Sequence, residues 1–295
     1  MYYRRKLLLG LLQAFDNDLE NIRLQKLLFL LTRFQKTESS YQFVPYKYGC
    51  YSFQSAADLN TLGKYNIVGQ EDSHVRKTSD VDYLVQLKPA DREAIKSLKI
   101  VYGLKTNEEL TRSTYISHPY YAINSLIAKD ILSPEHYQRV IAARPKKLKT
   151  VLFTIGYEGI TLEAYLNKLI ANDIRLLCDV RNNPVSMKFG FSKNQLKTAC
   201  ESLGIKYEHL PEVGIQSADR QELNKQADYD QLFKVYKDVT LAETIDNQKT
   251  ILSLLQKHQR IALTCFEANI CQCHRKPLAE AITQFEGWEY ELRHL

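Results

Sequence analysis

Apolar residues in the first half of the chain recur mostly at the spacing of helices. A leucine-rich pattern predicts helices over residues 2–15, 22–34 and 53–64. After the third helix, a short apolar pair, a polar tip and an alternating run at residues 81–87 indicate two strands joined by a loop. Helices followed by such a strand pair are typical of a winged helix. The pattern therefore predicts a mainly helical, winged-helix-like domain over residues 1–145.

The second half alternates short apolar runs with amphipathic stretches. Runs at residues 151–155, 174–180 and 261–263 are nearly uniformly apolar, as is usual for parallel strands buried on both faces. Pro277 stands in the first turn of a predicted helix, where its missing N–H costs nothing. The alternation predicts a mostly parallel, three-layer α/β sheet domain over residues 150–295.

The two halves also differ in charge and aromatic content. The net charge is +6, but residues 1–150 hold 23 Lys/Arg and 15 Asp/Glu, whereas residues 151–295 hold 17 and 19. Thirteen of the 19 tyrosines lie in the first half. A basic, tyrosine-rich half suggests a module that binds nucleic acid. A solvated basic surface, or a surface for a partner protein, would have the same composition.

Cysteine content and hydropathy bear on the location of the protein. Six cysteines in 295 residues are too few for a disulfide scaffold, and Cys178 and Cys265 lie in apolar strand contexts. No apolar run reaches the length that predicts a membrane span. The expected location is therefore cytoplasmic, with no membrane partner.

Side chains able to carry chemistry follow three of the predicted strands. The carboxyl ends of neighbouring parallel strands meet at one edge of an open sheet, where ligands usually bind, so we expect a single site there. Arginines suit phosphate or carboxylate recognition, and a carboxylate can act as a general base. The candidate catalytic residues are Asp179, Glu267, Cys273 and His274, and the candidate substrate-binding residues are Tyr157, Glu158, Arg181, Ser186 and Arg275.

Structural roles compete with these chemical ones. An ion pair between Asp179 and Arg275, or between Glu267 and Arg181, would hold the loops together without any chemistry. Cys273 precedes a histidine and a helix N-terminus, which favours a thiolate. Packing as a small buried residue is the stronger expectation for this cysteine.

No cofactor and no metal ion are predicted from the motifs. Cysteines 265, 271 and 273 with His274 have the spacing C-x5-C-x-C-H, which matches no CxxC zinc knuckle. Neither the P-loop motif G-x-x-x-x-G-K-[ST] nor the Rossmann motif G-x-G-x-x-G occurs.

Four segments of the second half, FTIGYEG, LLCDVRNNPVSMKFGFS, LGIKYEHLPEVG and LTCFEANICQCHRKPLAEAI, resemble the domain of unknown function 488 (DUF488). The resemblance runs over roughly residues 150–295, and its DVR-x-x-P-x-S and C-x-E…CHR elements are specific in combination. It implies processing of nucleic acid or nucleotides, including release of bases by N-glycosidases and roles in bacterial defence. The residues it points to are Gly156, Asp179, Arg181, Pro184, Ser186, Glu267, Cys273, His274 and Arg275.

Three segments of the first half, LQKLLFLLTRFQ, YQFVPYKYGCYS and DLNTLGKYNIV, resemble the winged-helix-type module of the YwgA-like group. The resemblance covers about residues 5–90. It implies a helix-turn-helix derivative that binds nucleic acid or a partner protein.

These observations together predict a hydrolase acting on nucleic acid or a nucleotide, with the basic first domain presenting the substrate. Arginines would hold phosphate, and a carboxylate would activate water or stabilise a cationic sugar-like transition state. Two rival hypotheses are a non-enzymatic nucleic-acid-binding regulator that senses a small anionic ligand, and a protein-interaction scaffold. Carboxylates open to a cleft favour the enzyme, whereas carboxylates paired with arginines favour a structural role.

Overall fold

The chain folds into two compact units, Met1–Arg144 and Pro145–Leu295. The structure is a computed structural model that describes residues 1–35, 39–216 and 223–295. Mainly helical structure in the first unit and a parallel sheet in the second confirm the predicted α/β fold class. None of the helices in these described ranges is both long and apolar enough to cross a membrane.

The first unit combines seven α-helices with short antiparallel strands among its described residues. Strand β5 pairs with both β1 and β4, so the three-stranded sheet has the order β1-β5-β4, and β2 pairs with β3 in a separate hairpin. A short 3-10 helix joins α5 to α6. The elements are α1 (Tyr3–Ala14), β1 (Asp18–Glu20), α2 (Asn21–Phe34), β2 (Val44–Tyr46), β3 (Gly49–Tyr51), α3 (Phe53–Lys64), β4 (Val68–Glu71), β5 (His74–Lys77), α4 (Pro89–Tyr102), α5 (Asn107–Ser117), the 3-10 helix (Pro119–Ala122), α6 (Ala128–Ile131) and α7 (Pro134–Ala143).

The strand pair after α3 is tighter and lies earlier than predicted. The hairpin β4–β5 occupies the stretch that the pattern assigned to a polar tip, and residues 81–87 form no strand. Asp72 and Ser73 both have positive φ, 47° and 67°, as a two-residue type I′ hairpin turn requires. The prediction was wrong because this turn is built without the Asn-Gly or Asp-Gly pair that usually marks it.

Buried polar contacts tie the helices of the first unit together. Asp58 of α3 is fully buried, and its carboxylate accepts hydrogen bonds from Arg4 Nε at 2.6 Å, Arg5 Nε at 2.7 Å and Tyr41 Oη at 3.0 Å. Ser52 begins α3 by accepting a hydrogen bond from the Ser55 N–H, which satisfies one of the free donors at the helix start. These contacts fix α3 against α1.

The second unit is a five-stranded parallel sheet with helices on both faces. The order is β10-β6-β9-β7-β8, so β9 is the central strand, between β6 and β7. The elements are β6 (Val151–Gly156), α8 (Leu162–Ala171), β7 (Leu176–Asp179), α9 (Lys193–Ser202), β8 (Lys206–His209), a 3-10 helix (Pro211–Val213), α10 (Gln226–Tyr236), a π-helical segment (Lys237–Leu241), α11 (Ile245–His258), β9 (Arg260–Cys265), a 3-10 helix (Ile270–Gln272), α12 (Arg275–Ile282) and β10 (Glu291–His294).

Alternate residues of the central strand face two different helical layers. Ile261 and Leu263 pack in one core with residues of α11 and α12. Thr264 points to the other face, where its hydroxyl accepts a hydrogen bond from Tyr165 of α8 at 2.8 Å. All six residues of β9 are buried, which explains the apolar run at its centre, residues 261–263. The layers leave the carboxyl ends of the strands free of helices, and the loops collect there.

Candidate functional site

The loops after β6, β7 and β9 meet at one edge of the sheet. The N–H groups of Tyr157 and Glu158 donate to the Phe266 carbonyl at 3.1 and 2.9 Å, which joins the first loop to the third. Val180 N–H donates to the Thr264 carbonyl at 3.3 Å, which joins the second loop to β9. Residues distant in the chain are therefore neighbours at the edge where open α/β sheets bind ligands.

A cleft of about 330 Å³ opens between these loops. Three of its lining residues, Tyr157, Arg181 and Ser186, were predicted from the sequence, and two residues with side-chain amides were not. The amides belong to Asn182 and Asn183, and nothing in the sequence distinguishes them except their place directly after Arg181. The lining residues are Tyr157, Arg181, Asn182, Asn183, Val185, Ser186, Met187, Ile215, Cys265 and Phe266.

Asp179 lies behind the wall of this cleft and holds Arg181 in place. Its carboxylate is fully buried and accepts from Arg181 Nε at 2.8 Å and Nη2 at 2.5 Å. The Tyr207 hydroxyl donates to the same carboxylate at 2.5 Å. Arg181 Nη1 donates to the Tyr157 hydroxyl at 2.8 Å and to the Phe191 carbonyl at 2.9 Å. The guanidinium is thus bound in a fixed orientation on the cleft wall.

The sequence left open a structural ion pair of Asp179 with Arg275 or of Glu267 with Arg181, and the structure has a different pair. Asp179 instead pairs with the arginine two residues later, because an arginine at that spacing can fold back along the loop and meet both oxygens. Burial tends to lower the pKa of Arg181, but the hydrogen bonds and charge of Asp179 outweigh it and the pKa is raised. The guanidinium stays charged in a site that water barely reaches.

Aromatic rings form part of the cleft. The Tyr157 ring stacks on Phe191 with centroids 4.2 Å apart and planes 8° apart, and Phe266 meets Tyr157 edge-on at 5.3 Å. Phe266 is 43% exposed, which is unusual for a phenylalanine beside a buried strand. An exposed ring beside a fixed guanidinium offers a flat apolar surface next to a positive charge.

Two thiols and an imidazole form a buried cluster at the end of β9. The Sγ atoms of Cys265 and Cys273 and a ring nitrogen of His274 all lie within 4.8 Å of one another, and all three residues are buried. The half-buried Glu267 contacts the cluster, with 3.1 Å between its Oε2 and Cys265 Sγ. Burial raises the pKa of the Cys273 thiol well above its ordinary value, and the nearby charge of Arg275 offsets only part of that rise.

His274 and Arg275 are buried, whereas their position before the predicted helix suggested side chains open to a cleft. Each is 1% exposed. The expectation was wrong because α12 begins at Arg275, two residues before Pro277, so both side chains turn under the loop. Arg275 Nη1 donates to the Glu267 carbonyl at 2.6 Å, and Nη2 to the Ala268 carbonyl at 3.4 Å. Arg275 therefore shapes the loop that carries Glu267.

Gly156 allows that loop to approach the sheet. A Cβ atom at this position would lie 1.9 Å from the Glu267 carbonyl oxygen and 3.1 Å from Arg275 Nη2. Any larger residue would push the loop away, so glycine is required for close approach of the two backbones. The first and third loops are thereby held at a fixed separation.

Glu158 and Ser186 take part in contacts that organise the loops. Glu158 is exposed, and its Oε2 accepts from the Ala268 N–H at 2.9 Å. Ser186 Oγ accepts from the Lys188 N–H at 3.2 Å. Lys188 in turn donates from Nζ to the Tyr157 carbonyl at 2.8 Å, a contact that the sequence did not indicate. Both predicted binding residues thus lie at or near the cleft, with part of their hydrogen bonding used internally.

Comparison with known proteins agrees with the resemblance seen in the second half. Residues 161–282 match the family model described as a domain of unknown function, DUF488. This match supports the DUF488 family for that part of the chain, which includes β7, β9 and the loops that follow them. No curated protein matches the chain, and neither does any solved structure.

Proposed function

We propose that the protein is a hydrolase that acts on a nucleotide or nucleic acid, with the cleft after β6, β7 and β9 as its active site. The observation that carries the proposal is the Arg181 guanidinium, fixed by Asp179 on the cleft wall beside the exposed Phe266 ring. A guanidinium held in one orientation suits phosphate, and an aromatic face suits a base. Asn182 and Asn183 add amide groups that can recognise sugar or base edges.

Glu267 is the carboxylate that we assign to the reaction. Its side chain is only half-buried, and it follows the strand whose last residue, Cys265, lines the cleft. A carboxylate there can activate a water molecule or stabilise positive charge on a sugar. Asp179 is a positioning residue, because its full burial and the four hydrogen bonds that its carboxylate accepts keep it from a substrate.

The first unit supports a substrate with a long phosphate backbone. Its order of helix, strand, helix, hairpin, helix and hairpin, with β1 completing the sheet, is similar to that of a winged helix with β2–β3 added between two helices. This similarity supports our proposal that the unit binds nucleic acid. The adjoining residues 144–149 contain four of the 23 Lys/Arg of residues 1–150, and Lys146 and Lys147 are exposed. Exposed lysines on a connecting segment can contact phosphates whatever the sequence of the nucleic acid.

The test is a search for products with the full-length protein. DNA, RNA and nucleotide mixtures are incubated with the wild type and with Glu267→Gln, and mass spectrometry follows released bases, sugars and phosphates. We expect products with the wild type and a loss of about 100-fold or more in rate for Glu267→Gln, the usual contribution of a general base. Substrate binding should persist, since the amide keeps the shape of the carboxylate.

The exposed Glu286 supplies the matched control. Glu286→Gln removes the same charge from the same unit at a residue that follows α12, outside the loops that form the cleft, and it should retain the wild-type rate. Equal rates for all three proteins would contradict the role of Glu267. No product from any substrate pool, with the protein folded, would contradict the hydrolase proposal.

The second candidate is a non-enzymatic nucleic-acid-binding regulator whose cleft senses a small anionic ligand. The observation in its favour is the Asp179–Arg181 pair, which commits one of the two candidate carboxylates to structure. If this hypothesis is correct, calorimetry should show nucleotide binding, and the ligand should change the affinity for nucleic acid. No turnover should be seen. Turnover that depends on Glu267 would contradict it.

A further inference from the structure

We propose that Cys265, Cys273 and His274 bind a zinc ion at the base of the cleft. Two thiolates and an imidazole are a ligand set that zinc prefers over harder cations such as magnesium and calcium. The spacing C-x5-C-x-C-H did not indicate this set, because that pattern counts Cys271 as one of the ligands. In the structure Cys271 is exposed, and the set that converges is C-x7-C-H.

The positions of the ligand atoms fit an ion with a small adjustment. The three atoms lie within 4.8 Å of one another, and Cys265 Sγ is 3.7 Å from His274 Nδ1. Tetrahedral zinc with ordinary bond lengths places such ligand atoms roughly 3.5–3.8 Å apart. The cluster must therefore contract by at most about 1 Å, which side-chain rotation can supply.

The second ring nitrogen of His274 is bound in the manner usual for metal ligands. His274 Nε2 lies 2.9 Å from the Val180 carbonyl oxygen, which can only accept a hydrogen bond. The proton is therefore on Nε2, and Nδ1 presents its lone pair toward the cysteines. Metal-bound histidines commonly donate their other ring N–H to a backbone carbonyl, which sets the tautomer and the ring orientation.

Three protein ligands leave a fourth position on a tetrahedral ion, as in catalytic zinc sites. Cys265 also lines the cleft, so an ion bound to it would lie next to the space where we place the substrate. Glu267 Oε2, 3.1 Å from Cys265 Sγ, lies beside it and could hold a water molecule there. This catalytic interpretation rests on the proposed hydrolase function, whereas zinc binding itself does not.

The test measures metal in the purified full-length protein under reducing conditions. After incubation with zinc and dialysis, elemental analysis should find about one zinc ion per chain in the wild type. Cys273→Ser and His274→Asn should each lose most of this zinc. Replacing zinc by cobalt in the wild type should give an absorption band from thiolate-to-cobalt charge transfer, which reports the cysteine ligands without any mutation.

Cys271→Ser is the matched control, since this exposed cysteine lies in the same loop outside the cluster. It should retain the zinc, and circular dichroism should show that all variants are folded. A wild type that takes up no zinc, or a folded Cys273→Ser that keeps it, would overturn the site. Zinc binding without turnover supports the site and counts against the hydrolase. Turnover in zinc-free protein supports the hydrolase and counts against a catalytic role for the zinc ion.

Discussion

Asp179 shows how a buried charge can serve a site without touching its ligand, because it holds Arg181 on the cleft wall. Their side chains are buried together, and every oxygen of the carboxylate has a donor in Arg181 or Tyr207. Removing ions from water costs several kcal/mol each, and only a bidentate contact with further hydrogen bonds offsets that cost. The pair therefore keeps the guanidinium at the cleft wall as a single rigid group.

Asp179→Ala should destabilise the second unit by about 3–5 kcal/mol, because it leaves the Arg181 charge buried and unpaired. Urea denaturation followed by circular dichroism measures the change. Glu201→Ala is the control, since Glu201 pairs with Lys197 across 3.9 Å on the exposed surface. Surface pairs of this kind contribute at most about 1 kcal/mol. Similar losses in the two variants would show that the buried pair contributes little to stability.

At the residue scale, the sequence predicted which loops meet at the edge of the sheet better than it predicted which side chains face the cleft. Arg181 and Ser186 line it, but His274 and Arg275 are buried beneath it. Chain position cannot separate these outcomes, because a shift of two residues along a helix turns a side chain by about 200° and so reverses its direction. The grouping of Cys265 with Cys273 was equally hidden, since the intervening 3-10 helix turns Cys271 outward.

Helix α2 is an element in which burial extends all the way round. Its residues from Leu24 to Leu31 are all buried, including Lys26, which donates from Nζ to the Tyr48 carbonyl at 2.8 Å. Burial lowers the pKa of Lys26 to about 8. A lysine that resists protonation in the folded protein makes the stability of the unit depend on pH.

The free energy of unfolding should rise by about 2 kcal/mol between pH 7 and pH 9.5 through Lys26 alone. Above the folded pKa of about 8 the folded chain releases this proton, while the unfolded chain keeps it until its ordinary value near 10.4. Denaturation at a series of pH values measures the slope. The sign is positive because the unfolded state binds more protons in this window.

Lys26→Met should remove that slope, since methionine fills a similar volume and does not titrate. Lys64→Met removes an exposed lysine from the same unit and should keep the slope. If the wild type and Lys26→Met show the same pH profile, Lys26 is not the group that responds in this window.

At the element scale, helices with clear start signals were predicted to the residue. The bounds of α3 agree with the predicted ones because Ser52 caps the helix through its side chain. Pro45 and Gly49 usually interrupt regular structure, yet they lie in the short strands β2 and β3. Strand formation here depends on pairing across a hairpin, and the preferences of single residues do not predict such pairing.

For the whole molecule, the proposed nucleic-acid binding would draw on the basic residues of the connecting segment 144–149 as well as on those of the first unit. Replacing Lys146 and Lys147 by glutamine should weaken binding of the full-length protein to any DNA or RNA it binds. The plot of log affinity against log salt should become shallower by up to about 2, because each phosphate contact contributes about 0.9 to the slope on duplex DNA. Fluorescence anisotropy over a range of salt concentrations measures this.

The double variant Lys249→Gln and Lys257→Gln is the control, because it removes the same charge from exposed positions of α11. Its salt dependence should match the wild type. An equal change in both double variants would indicate a general effect of net charge, and the connecting segment would then have no particular role.

Because β9 is the central strand, the order of synthesis on the ribosome affects how the second unit folds. The chain makes β6, β7 and β8 before β9, yet β6 and β7 have no hydrogen bonds to each other in the sheet and meet only through β9. Until residues 260–265 have been synthesised, β6 and β7 lack the strand with which they both pair, and their apolar side chains stay exposed. Exposed apolar strands favour aggregation. The first unit has its own core and can fold meanwhile. A nascent chain stalled before β9 should therefore need chaperones for its second half only.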